Sequence, residues 1–141
     1  MSNNEQRNLA LAASLCKSWN DHDPQGFSDH FAKDGVWVLA RGTQPDGYIV
    51  KGKSAIRNMF QHFCDTYPDL HVAVRCHWSN ADDRACSEWH ITGTNQNGET
   101  LDWLGLDLWH FDRAGKVLRC DAYYKAAGDL AEKEAQMIAA R

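Results

Sequence analysis

Apolar residues along this chain follow two different periods, and the order in which the periods alternate sketches a fold. Over residues 5–20, Leu9, Ala12, Leu15, Cys16 and Trp19 recur at helical spacing, which predicts a helix with one buried face. Asp23-Pro24 then restarts a short helix, the Asp as N-cap and the Pro at the first turn, with Phe27 and Phe31 on one face and an end near Lys33-Asp34-Gly35. Short strands are predicted over 36–40 and 48–50, separated by a loop rich in Gly, Pro and Asp over 41–47. A third helix follows from Ser54, with Ile56, Met59, Phe60 and Phe63 on its buried side, and Tyr67-Pro68 ends it. From residue 71 the period changes to two.

Strands are predicted over 71–78, 85–94, 101–111 and 117–124, the last three forming a meander through turns at Asn97-Gly98 and Asp112-Arg113-Ala114-Gly115. One face of the strand over 101–111 carries Trp103, Gly105, Asp107, Trp109 and Phe111, and the other carries Leu104, Leu106, Leu108 and His110. Both faces are mostly apolar, so the strand is central and covered on each side. Asn-Gly favours a two-residue hairpin turn, which would set Glu88 opposite Asp107 and His90 opposite Gly105. Two carboxylates and an imidazole would then share one face, and such a set requires a retained proton or a ligand to relieve like-charge repulsion. A three-residue loop would shift the pairing by one and put Ser87 and Trp89 there instead.

Helices gathered in the first half and long antiparallel strands in the second define an α+β class: a curved antiparallel sheet with three helices packed on one face. The 141 residues suit one domain, with a core over about 5–126 and a segment over 127–141 that is either a docked helix or a frayed tail. Hydrophobic residues are 43% and charged residues 24%, an ordinary globular balance. The net charge of -4, with Lys and Arg scattered singly, argues against a nucleic-acid partner. No apolar run reaches the length of a membrane span and the first residues show no signal-peptide pattern, so the expected location is the cytoplasm. Five cysteines without a C-x-x-C pair read as reduced core residues, and the histidines show no metal-ligand spacing. No nucleotide-binding or nucleophilic-serine motif is present, so no cofactor is expected.

Phe31-Ala32-Lys33-Asp34-Gly35-Val36-Trp37, Gly52-Lys53-Ser54-Ala55-Ile56, Gly105-Leu106-Asp107-Leu108-Trp109-His110-Phe111 and Gly115-Lys116-Val117 together resemble the nuclear transport factor 2-like superfamily. Glu88-Trp89, Thr92-Gly93-Thr94 and Asp121-Ala122-Tyr123-Tyr124 are in the style of its SnoaL-like branch. The resemblance implies a cone of helices closed by a bent, cystatin-like sheet, commonly a homodimer through the sheet's outer face. It also implies a hydrophobic pocket lined here by Trp37, Phe60, Phe63, Trp103, Trp109 and Tyr124. The superfamily includes ketosteroid isomerases, epoxide hydrolases, polyketide cyclases, dehydratases and non-catalytic binding domains.

The carry-over of site residues is partial. Asp107 falls where ketosteroid isomerases hold the protonated acid of their oxyanion hole, whereas Leu39 stands at their general-base aspartate and Leu15 or Cys16 at their tyrosine. Ala122 stands where epoxide hydrolases and cyclases carry an acid on the last strand, and Glu88-Trp89-His90 does not match the arginine and aspartate of those hydrolases. The functional expectation is therefore a cofactor-independent isomerase, cyclase, dehydratase or hydrolase acting on a small hydrophobic molecule, with Asp107 as acid and Glu88 or His90 as base. The alternative is a ligand-binding or interaction domain of the same fold, in which these three residues form a structural network.

Overall fold

The structure is a computed structural model that describes residues 2–131 and 133. Three helices, α1 (Asn3–Asn20), α2 (Pro24–Asp29) and α3 (Lys53–Thr66), pack on the concave side of a six-stranded curved sheet that does not close on itself. The strands are β1 (Phe31–Leu39), β2 (Tyr48–Lys51), β3 (His71–Ala81), β4 (Arg84–Thr94), β5 (Thr100–Phe111) and β6 (Val117–Ala127). Their order is β2-β1-β6-β5-β4-β3, antiparallel throughout except for the parallel β1–β6 pair. The expected α+β architecture is thus present.

Two side chains tie α1 along the edge strand β3. Asn20 donates to the Val72 carbonyl at 2.9 Å and accepts from the Val72 N–H at 2.7 Å, satisfying both backbone groups of a residue on the edge strand β3. At the other end, buried Asn8 donates to the Asp82 carbonyl at 2.7 Å in the β3–β4 turn. Between these anchors Ala12, Leu15, Cys16 and Trp19 face the sheet, as the helical period predicts. Register shifts in β3–β4, β1–β6 and β5–β6 insert bulges, which bend a sheet and add to its twist.

Several boundaries differ from expectation. The second helix stops at Asp29 and β1 begins at Phe31, because the Val117 N–H bonds to the His30 carbonyl and draws the chain into the sheet. Helix α3 begins at Lys53 with Gly52 as its N-cap and no side-chain cap, so Ser54 lies inside its first turn. The strands over 71–81 and 117–127 are longer than the apolar period indicates. The expected helix or tail at the C-terminus falls mostly on residues 132 and 134–141, outside the described residues.

The largest correction concerns the β4–β5 hairpin. Ser87 pairs with Asp107, Trp89 with Gly105 and Ile91 with Trp103, one residue away from the two-residue register. Asn95 decides this. Its side chain accepts from the backbone N–H groups of Asn97 at 3.0 Å and Glu99 at 2.9 Å, while the Gly98 N–H reaches the Asn95 carbonyl at 3.0 Å. The result is a three-residue loop, Gln96-Asn97-Gly98, with Gly98 at φ 78°. The energetic reason lies in the strand: this register buries Trp89 and Ile91, whereas its alternative would send both to the outer face and bring Glu88 and His90 into the core.

Candidate functional site

Helices and sheet enclose a cavity lined by Leu15, Cys16 and Trp19 of α1, Phe27 of α2, Phe63 of α3, and inward residues of the sheet. Five of those strand residues lie on the inward face of β4 and β5: Trp89, Ile91, Trp103, Asp107 and Trp109. The cavity is narrow, with a free volume of about 30 Å³. Its rings already press together: Trp103 stacks on Tyr124 with centroids 4.3 Å apart, and Phe63 meets Trp103 edge-on at 6.1 Å. Arg41 lies over Tyr124, its guanidinium 5.8 Å from the ring centroid.

Asp107 is the one carboxylate among the lining residues. The period of two on β5 puts it on the same face as the lining residues Trp103 and Trp109, opposite Ala122 of β6. Trp89 Nε1 donates to Asp107 Oδ2 at 3.0 Å. Burial raises the Asp107 pKa from the ordinary carboxylate range to about 7, and hydrogen bonds from Trp89 and Cys120 oppose that rise without cancelling it. Beside it, Ser87 Oγ accepts from Trp109 Nε1 at 2.9 Å and lies 2.8 Å from His77 Nδ1. Desolvation lowers the His77 pKa, keeping its imidazole neutral.

Burial keeps the thiols here protonated. Burial pushes Cys16 up to about 12, with the charge of Asp107 adding to the effect, and raises Cys120 well above its ordinary value. Among the described residues no group of three His, Cys, Asp or Glu side chains is placed to hold a metal ion.

The expected convergence of Glu88, His90 and Asp107 does not occur. Glu88 and His90 alternate with the inward Ser87, Trp89 and Ile91 on β4 and therefore face outward. Glu88 accepts from Trp78 Nε1 at 2.9 Å, and His90 Nε2 lies 2.5 Å from Asp102 Oδ1. Of the six aromatic residues expected at the pocket, Trp37, Phe63, Trp103, Trp109 and Tyr124 line it. Phe60 does not; it is fully buried behind the lining, stacked on Trp19 at 4.5 Å. Trp19 and Trp89 are lining residues that sequence reasoning did not single out as site residues. Trp19 stood on the buried stripe of α1, where a cavity wall and a packed core give the same helical period.

A bent α+β cup with helices packed on a curved sheet is the architecture that the sequence resemblance implied. The chain belongs to the SnoaL-like domain family, whose model matches residues 12–120, within the nuclear transport factor 2-like fold. Solved structures agree on the fold. Rv0760c of Mycobacterium tuberculosis, in complex with estradiol-17β-hemisuccinate, superposes with a TM-score of 0.73 at 22% identity, over 84% of this chain and 94% of that one. A Xanthomonas campestris pv. campestris protein assigned as a polyketide cyclase gives 0.77 at 21%, over 95% and 98%. SalBIII, an epoxide hydrolase/cyclase-like enzyme of pyran ring formation in salinomycin, gives 0.73 at 14%, over 85% and 92%. No curated protein sequence matches the chain.

Proposed function

We propose that this protein is a cofactor-independent acid-base enzyme that takes a small hydrophobic, ring-bearing molecule into the cup and uses Asp107 as its acid. The observation that carries this reading is one carboxyl with a pKa of about 7 on the floor of an otherwise apolar cavity. Such a group is partly protonated near neutrality, so it can hand a proton to a substrate oxygen or carbon and take one back. Glu88 and His90 have no step in this scheme. With a single titrating carboxyl at the lining, isomerisation or cyclisation, in which the same group returns the proton, fits better than a two-residue hydrolysis. Relatives of the same fold that bind an estradiol derivative or take part in pyran ring formation support the substrate size and the chemistry. Entry requires the Trp103–Tyr124 stack to part, because the room now left suits water rather than a ring system.

A non-catalytic binding role is the second reading, and the tight, nearly apolar lining favours it. The two separate on one variant. After steroid ketones and aromatic polyketides are screened for thermal stabilisation and turnover, Asp107→Asn abolishes turnover while preserving binding if the enzyme reading holds. Binding without turnover in the wild type, or turnover unaffected by Asp107→Asn, overturns it.

The homodimer belongs to the same proposal. Trp78, Leu104, Leu108 and Tyr123 are exposed on the outer face of the sheet, and a second copy would cover them. Sedimentation of the wild type beside Leu108→Glu tests it: a dimer that the charge dissociates is the expected result, and a wild-type monomer at all concentrations overturns it.

A further inference from the structure

Three indole N–H groups of this protein have identified acceptors: Trp78 on Glu88, Trp89 on Asp107 and Trp109 on Ser87. Trp19 is different. Its Nε1 is closed off from solvent and has no hydrogen-bond partner among the described residues, although the residue as a whole is only 8% exposed. A buried donor left without an acceptor is rare in folded proteins, and each instance asks for a reason. Packing alone does not require an indole here, since the neighbours of the ring are themselves apolar rings. It stacks on Phe60 at 4.5 Å, meets Phe27 and Trp37 edge-on at 5.9 Å each, and lies 6.2 Å from Phe63. These contacts hold the plane of the indole, and Trp19 also forms part of the cavity wall.

We infer that Trp19 is a ligand-orienting hydrogen-bond donor of the cup, and that the ligand class is an apolar carbonyl compound whose oxygen accepts from the Trp19 indole. The inference rests on the reading that the cup takes a hydrophobic ligand, and it narrows that class. An indole N–H can only donate, so a ligand whose polar groups are all donors leaves it unpaired, and a hydrocarbon does the same. A carbonyl oxygen satisfies the donor while the apolar remainder lies against Phe63, Trp103 and Tyr124. Rejection of a ligand that lacks the matching polar group is the stronger side of such recognition, because the protein donor then stays buried and unpaired.

The test uses two probes of nearly the same shape, 2-acetylnaphthalene and 2-ethylnaphthalene, titrated against the wild type and Trp19→Phe. The wild type is expected to prefer the ketone by roughly fivefold to tenfold, and Trp19→Phe to bind both alike. A second measurement needs no altered core. In the wild type labelled with ¹⁵N at its six tryptophans, the Trp19 indole resonance, identified by its disappearance in the variant or by through-space contacts to Phe60, moves downfield with the ketone and stays in place with the hydrocarbon. Retention of the ketone preference in Trp19→Phe, an indole signal that does not distinguish the probes, or equal binding of both probes by the wild type overturns the inference and leaves the pocket reading intact. Binding of neither probe by the wild type overturns both.

Discussion

The two faces of the sheet hold the same kinds of side chain in opposite circumstances. On the outer face acids meet partners at the edge of water: Glu88 with Trp78, Asp102 with His90, Asp83 with His110 and Asp121 with Arg119. On the inner face Asp107 has two neutral donors, Trp89 and Cys120, and no cation among the described residues. Neutral donors stabilise a carboxylate less than a cation does, and burial penalises its charge, so the inner acid is the one driven towards neutrality. The comparison teaches that at this sheet the pleat, more than residue type, decides which carboxyl is available for chemistry.

The largest expected effect that would break this comparison is in the pH dependence of stability. The folded state holds the Asp107 proton up to about pH 7, whereas the unfolded chain releases it in the ordinary carboxylate range. Between those values the unfolded state binds fewer protons, so stability falls as pH rises and levels off above about 7. Asp107→Asn removes that loss and is expected to be more stable than the wild type at pH 8, by up to ~4 kcal/mol. Parallel denaturant curves at pH 5 and pH 8 check it, and equal differences at the two values would refute the raised pKa. If Asp107 acts as an acid, kcat/KM also declines above about pH 7, and a profile that rises through that value would assign it as a base.

Next in size is Gly105→Ala. An added Cβ would come within 2.1 Å of the Tyr123 carbonyl oxygen and 2.6 Å of Tyr124 Cβ, so the strands must part. A destabilisation of about 1–3 kcal/mol is expected from urea unfolding, with loss of ligand binding as the Trp103–Tyr124 wall shifts. Trp89→Phe sharpens the comparison by removing one donor from Asp107. It should cost about 1–2 kcal/mol and drive the Asp107 pKa further up, read by carbon NMR of its carboxyl. The smallest effect belongs to the outer face. The side chains of His90 and Asp102 are 41% and 47% exposed, so His90→Gln should change stability by less than about 1 kcal/mol and leave turnover unaltered. A large loss of activity there would return His90 to the catalytic group.

Much of the cup could be read from residue order. The period of two put Asp107 on one face with Trp103 and Trp109, and the helical stripe of α1 put Leu15, Cys16 and Trp19 on the sheet. What failed was the relation between two strands that were each read correctly. Asn97-Gly98 signals a turn but admits loops of two or three residues, and Asn95, two positions earlier, makes the choice through its side chain. A shift of one residue then exchanged Glu88 and His90 for Ser87 and Trp89 beside Asp107. Phe60 failed for a related reason: its helical phase says that it is buried, and only packing says that Trp19 stands between it and the cavity.

Local sequence therefore determined the elements, their buried faces and the inward direction of Asp107, because backbone periodicity ties each of these to neighbours a few positions away. The tertiary structure alone decided which inward residues share a cavity, how little room their rings leave, and that, among the described residues, Asp107 lacks a charged partner and the Trp19 N–H has no acceptor. Those properties depend on distances between segments far apart in the chain, which the pattern of any one segment does not contain.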